Sequence, residues 1–275
     1  RRCASNEPRR IRWKEDVVKI LVCLKQVPST ESRIKPAADG KAADLAGVDW
    51  VVNPYDEFAM EAALQLKEKQ GGEVVVISVG GEKVEEAMRT ALALGADKAV
   101  VLKDPAYALA DALAVSAALA ALARREAPDV VFCGKQALDD DQMAVPAMLA
   151  ERLDLPQVTV IVGLEFAADG KSGTAMREVE GGLEQVEFTL PAVLAAQKGL
   201  NEPRYASLKG IMAAKKKPIE SVSAADLGLP APAARIEVLA VTQPAQERKL
   251  KMLEGDADAQ VAELVRALRD DEKML

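Results

Sequence analysis

The sequence predicts an α/β fold: a doubly wound, mostly parallel sheet, followed by an antiparallel extension and a C-terminal arm. Three observations carry this. Apolar runs of strand length alternate with helical periods across glycine turns through the first 155 residues. After Pro156 the pattern changes to alternating runs joined by Asp169-Gly170 and Gly181-Gly182, as in antiparallel hairpins. Apolar residues make up 49% of the 275-residue chain and aromatics only 3%. The core is therefore built from Ala, Val and Leu, which suits buried parallel strands under Ala-rich helices.

Taken in order, Val18 to Leu24 (VKILVCL) is a buried strand, and residues 28 to 47 read as a loop or short hairpin. A short strand at Val48 to Val52 leads to Asn53-Pro54, where Asn is expected to cap a helix and Pro to occupy its first position. Phe58, Ala59, Ala62 and Leu66 recur at helical spacing up to Gly71-Gly72. Glu73 to Val79 is a second strand, Lys83 to Leu94 a helix, Lys98 to Leu102 a third strand, Asp111 to Glu126 a helix and Asp129 to Cys133 a fourth strand. Antiparallel strands follow at Gln157 to Leu164, Thr174 to Glu180 and Leu183 to Leu190, with one more apolar strand at Pro191 to Gln197. Leu200 to Ile219 (LNEPRYASLKGIMAAKKKPI) fits no hydrophobic repeat and reads as an exposed loop running into a short helix. A strand is expected at Arg235 to Val241, then a charged linker and an amphipathic helix with Val261, Leu264, Val265 and Leu268 on one face. Residues 1 to 16 read as a disordered extension, 17 to 240 as the main domain and 241 to 275 as a linker and docking helix.

Composition excludes several functions. The chain has no histidine, which removes Ser-His and Cys-His nucleophile systems and HExxH metal sites. Cys3, Cys23 and Cys133 form no CxxC pair, so neither a disulfide framework nor a zinc site is expected, and a reducing compartment fits. With 36 basic and 43 acidic side chains the net charge is −7, which argues against general nucleic-acid binding. The local exception is Lys209 with the run Lys215, Lys216 and Lys217, which on composition alone is a solvated helix face. The uncharged run Ala112 to Ala123 is shorter than the roughly 20 residues that span a bilayer.

In a doubly wound sheet ligands bind beyond the carboxyl ends of the strands. Those ends are held here by Cys23-Leu24-Lys25, Asn53-Pro54-Tyr55-Asp56, Val79-Gly80-Gly81 and Gly134-Lys135-Gln136. Glycines allow close backbone approach and helix N-termini offer N–H groups to a phosphate, which together describe a nucleotide pocket. There is no GxGxxG and no GxxxxGK[ST]. Asp139, Asp140 and Asp141 are acids leading into a helix N-terminus rather than a metal site.

Three stretches, Val52 to Glu57 (VNPYDE), Gly134 to Asp141 (GKQALDDD) and Leu200 to Ile219, occur in the order and spacing of the beta subunit of electron transfer flavoprotein, and the chain resembles that family from Val18 to Leu275. The resemblance implies a heterodimer whose alpha subunit carries the redox-active FAD. The beta subunit then holds AMP in the carrier class, or a second FAD in the electron-bifurcating class. It implies cofactor contacts at Cys23, at Asn53, Pro54, Tyr55 and Asp56, at Val79, and at Asp139, Asp140, Asp141, Gln142, Met143 and Val145. Asp140 looks like the AMP class. The chain departs from the family's Gln-(Thr/Val)-Gly run, with Ala144, Val145 and Pro146 at those positions, and Pro146 has no N–H to offer a phosphate.

The same resemblance makes the basic segment a recognition loop. Leu208 matches the anchor for a partner dehydrogenase, Arg204, Tyr205, Ile211 and Met212 lie around it, and Glu178 faces the alpha subunit. It further implies acyl-CoA or related dehydrogenases as donors, a quinone oxidoreductase as acceptor, no membrane insertion, no catalytic residues, and a cytoplasmic (bacterial) or mitochondrial matrix (eukaryotic) location. A nucleotide-binding module of universal-stress type would explain the first half alone, but neither the antiparallel extension nor the loop.

Overall fold

A computed structural model describes residues 18–81, 83–107, 110–232, 235–244 and 250–274. The expected disordered extension, residues 1–16, lies outside the described residues. The elements in chain order are β1 (Lys19–Cys23), β2 (Gln26–Pro28), β3 (Lys35–Pro36), β4 (Ala43–Asp44), β5 (Trp50–Val52), α1 (Pro54–Gln70), β6 (Glu73–Gly80), α2 (Val84–Leu94), β7 (Lys98–Lys103), α3 (Ala112–Glu126), β8 (Val130–Gly134), α4 (Val145–Leu153), β9 (Gln157–Phe166), β10 (Ser172–Val179), β11 (Gly182–Thr189), β12 (Ala192–Ala196), α5 (Leu208–Ala214), β13 (Ile219–Val222) and α6 (Ala257–Arg266).

Nine strands form one sheet in the order β11-β10-β9-β12-β8-β1-β6-β7-β13. From β12 to β13 the neighbours all run parallel, and β9, β10 and β11 form the antiparallel meander. The two faces follow from the two-residue period of a strand. Ile20 and Val22 of β1 join Ala59, Met60, Met88 and Ala91 on the α1 and α2 side. Leu21 and Cys23 join Ala118, Leu122, Leu149 and Ala150 on the α3 and α4 side. Helices on both faces make the sheet doubly wound, as expected. Three of the four phenylalanines cluster: Phe132, Phe166 and Phe188 meet edge to face, with ring centroids 6.5 and 5.8 Å apart, and tie the meander to the parallel sheet.

Two features of the sheet differ from expectation. The parallel part is not confined to the first half, because β12 enters between β8 and β9, and β13 takes the edge beside β7. The stretch from Arg235 to Val241 forms no strand, and Ile236, Val238 and Leu239 are exposed. Its apolar content suggested a strand, but the place beside β7 is taken by IESV of β13, which carries Glu220 and still pairs in parallel. At β9 the chain changes from parallel pairing with β12 to antiparallel pairing with β10, the register shifts in both ladders, and Val160 adopts φ 61°. This is the bend a bulge produces.

Gly72 is required at its turn: at φ 124° an added Cβ would lie 2.7 Å from the carbonyl oxygen of Val18. The main unit takes in Leu45–Leu239 and the chain up to Ile34, and a second unit joins Lys35–Asp44 to Ala240–Leu275. Within the second, Val241 donates its N–H to Gly40, and Asp256 caps α6, which buries none of its residues. Among the described residues no helix is long and apolar enough to cross a membrane.

Candidate functional site

The parallel strands β1, β6 and β8 end on one edge of the sheet, and α1 begins there. Asp56, in the first turn of α1, is buried and ties the strand ends together. Its Oδ2 accepts the Lys25 N–H at 2.7 Å, and its Oδ1 accepts Gly134 N–H and Asn53 Nδ2, each at 3.0 Å. Burial pushes its carboxyl up to about 7, against the pull of those three donors and of the Lys25 charge. Gly134 has to be glycine for this arrangement, since a Cβ would lie 2.3 Å from Asp56 Oδ1 and 2.7 Å from Tyr55 Cβ.

Asn53 corrects the helix-cap expectation. It sits at the N-cap of α1 but makes no side-chain capping bond. Its Nδ2 instead donates to Asp56 and to the Gln136 carbonyl at 2.8 Å, while its Oδ1 accepts the Leu138 N–H at 3.1 Å. The side chain is buried, and it binds the loop after β8 to the start of α1. The helix is left with Pro54 in its first turn and acids Asp56 and Glu57 near the positive end of its dipole.

The loop from 135 to 144 closes the edge. Lys25 Nζ reaches Asp139 at 2.7 Å and Asp140 at 3.2 Å, so one ammonium bridges two of the three acids and offsets half of their charge. Gln136 holds Asp141 by its side chain. Asp141 and Met143 have φ of 50° and 53°, a left-handed conformation that aspartate tolerates and that is costlier for methionine. The loop delivers α4 with Ala144 at its N-cap and no side-chain cap, so no N-cap side chain claims its first-turn N–H groups. Lys135 Nζ lies over the Tyr55 ring, 5.2 Å from its centroid. Cys23 and Cys133, on the adjacent strands β1 and β8, are buried free thiols. A hydrogen bond with Cys23, together with burial, holds the Cys133 thiol well above its usual value, so it is a poor nucleophile. Among the described residues no group of three or more His, Cys, Asp or Glu could hold a metal ion.

The second region is the segment after β12. Arg204 turns inward: its Nε meets Glu61 at 2.7 Å and its Nη2 at 3.0 Å, and its Nη1 pairs with Glu68. Beyond it Tyr205 (97% exposed), Leu208 (83%) and Met212 (61%) stand in solvent, with Ile211 less so. Ser207 caps α5 by accepting the Gly210 N–H at 3.1 Å. Glu178 is exposed on β10 and accepts Gln197 Nε2 at 3.0 Å. Cavities of about 280 and 350 Å³ run along α1, lined in part by residues 200–205 rather than by the strand ends.

Of the residues expected at the edge, Asn53, Asp56, Asp139, Asp140 and Asp141 are drawn into one bonded cluster. Cys23 and Val79 lie at or near the ends of their strands, Gln142 and Met143 lie on the loop, and Val145 opens α4. Lys25, Gly134 and Gln136, which the sequence places at strand ends but not among the expected cofactor contacts, prove central to it. The available signal was position, since each lies at, or within two residues of, the end of a buried strand.

The structure thus shows a bonded cluster where β1 and β8 end and α1 begins, and apart from it an exposed apolar segment at 205–212. The model of the electron transfer flavoprotein domain matches residues 43–227. The chain is 46% identical over 209 residues to the electron transfer flavoprotein subunit beta of Syntrophomonas wolfei, covering 76% of this chain and 81% of that one. It is 39% identical over 259 residues to the subunit of the same name from Bacillus subtilis (93% and 99%), and 41% identical over 235 residues to that of Mus musculus (83% and 90%). The chain belongs to the electron transfer flavoprotein beta subunit family.

Proposed function

We propose that this chain is the beta subunit of a carrier-type electron transfer flavoprotein. It pairs with an alpha subunit bearing FAD, holds AMP at the carboxyl edge of its sheet, and docks acyl-CoA or related dehydrogenases through Leu208. Electrons leave for a quinone oxidoreductase. The observation that carries this reading is the set of exposed apolar side chains at 205–212, which have no place in the chain's own core.

The edge residues fit a nucleotide monophosphate. The α4 N-terminus has no side-chain cap, Gly81 has open space on its Cβ side, and Lys25 offsets the charge of Asp139 and Asp140. Pro146 withholds one N–H, which limits the donors to fewer than the family's glycine-bearing loop would offer. In this reading FAD, held on the alpha subunit, supplies the redox chemistry. Asn53 and Asp56 keep the nucleotide edge closed, and Glu178 and the C-terminal arm face the alpha subunit.

The test counts flavin and nucleotide in the purified heterodimer and follows electron transfer in Leu208→Ala. One FAD and one AMP per dimer are expected, and two FAD, or no AMP in a stable dimer, would overturn the nucleotide assignment. Burying one leucine at an anchor is worth about 1.5–3 kcal/mol, so Leu208→Ala should weaken docking roughly tenfold to a hundredfold without altering the flavin spectrum. Unchanged transfer across dehydrogenase concentrations would remove the docking role.

A further inference from the structure

The exposed side chains at 205–212 make few contacts with their own fold, so their positions depend on the backbone beneath them, and that backbone is tied down at both ends. On the N-terminal side Asn201 Nδ2 donates to the Phe58 carbonyl at 2.9 Å, and Arg204 grips two glutamates of α1. On the C-terminal side Arg89 of α2 donates to the carbonyls of Ala214 and Lys217, and Lys217 Nζ donates to Ala96. In between, α5 lies against α2 backbone to backbone: a Cβ on Gly210 would fall 2.3 Å from the Ala93 carbonyl oxygen.

Arg204 is the strongest of these ties. Its backbone N–H and two guanidinium nitrogens reach Glu61, whose side chain is only 5% exposed, and the rest of the fork meets Glu68. A planar fork can serve two carboxylates at once, and a lysine cannot.

We propose that Arg204 is a positioning residue: instead of touching a partner, its clamp on Glu61 and Glu68 holds Tyr205, Leu208 and Met212 in one preformed docking arrangement. The proposal rests on the reading of 205–212 as a docking segment. A preformed segment loses little freedom on association, so the clamp's benefit appears in affinity and not in the electron-transfer step.

The test uses the heterodimer with an acyl-CoA dehydrogenase, and three variants. Removing Arg204 alone strands a buried carboxylate and risks unfolding. Arg204→Ala is therefore combined with Glu61→Gln, and Arg204→Lys and Glu68→Gln are made singly. Hydrogen exchange of amides 205–214 should quicken in the double variant, with the sheet amides unchanged. The dehydrogenase concentration for half-maximal transfer should rise on the order of tenfold at constant kcat. Glu68→Gln should give a smaller change in the same direction, and Arg204→Lys should fall between wild type and the double variant.

Unchanged exchange, or a loss in kcat instead of half-saturation, would overturn the proposal. Its failure is distinguishable from failure of the docking reading, because Leu208→Ala tests that reading with the clamp intact.

Discussion

Replacing Asn53 separates a cross-link from a helix cap. The side chain makes three bonds, at 2.8, 3.0 and 3.1 Å, to Gln136, Asp56 and Leu138. A neutral bond is worth about 0.5–1.5 kcal/mol net, and one to a charged group about 1.5–3. Water can reach the part-buried loop groups once the amide is gone, so Asn53→Ala should cost about 3 kcal/mol, against roughly 1 for loss of a cap. Asn53→Ser is the decisive companion. Serine caps a helix about as well as asparagine, but is too short to span the gap to the loop after β8, and it should be nearly as damaging as alanine. Urea unfolding followed by far-ultraviolet circular dichroism measures both. A loss of 1 kcal/mol or less in Ala, restored by Ser, would refute the cross-link and return Asn53 to capping.

Two further predictions concern the same knot. Gly134→Ala should destabilise by about 1–3 kcal/mol or more, since its methyl would meet Asp56 and Tyr55 at 2.3 and 2.7 Å; an unchanged melting temperature would show that the edge can yield. Asp56, raised from 3.8 to about 7, holds a proton in the folded chain between those values that the unfolded chain has released. Its contribution to stability is therefore fullest below the lower value and falls as pH rises to the upper one. The stability difference between wild type and Asp56→Asn should drop from about pH 4 to 7 and level off above; a flat difference would mean that the three donors keep Asp56 ionised.

The residues most legible in the sequence were those whose surroundings are local. VKILVC announces a strand buried on both faces, and Asn53-Pro54 marks where α1 starts. What Asn53 does there was hidden, because its partners Gln136 and Leu138 are more than 80 residues away. Arg204 was expected among the partner contacts around Leu208, and its pairing with Glu61 and Glu68 was hidden for the same reason, since nothing near it in sequence points to them. β13 was hidden by its composition: an edge strand can carry Glu220 and Ser221 and still pair, whereas the apolar stretch after 235 forms no strand. The exposed segment at 205–212 was legible because it broke every buried pattern around it.

The placing of β12 and β13 has a consequence for how the chain is made. Until residue 196 has been synthesised, β8 is a bare edge, and until residue 222 the same is true of β7. The apolar strands of the first half are thus exposed during translation, with long loops still to close before pairing is complete. A fragment ending near residue 155, however well its own strands and helices alternate, would present two unpaired apolar edges and should aggregate where the longer chain folds.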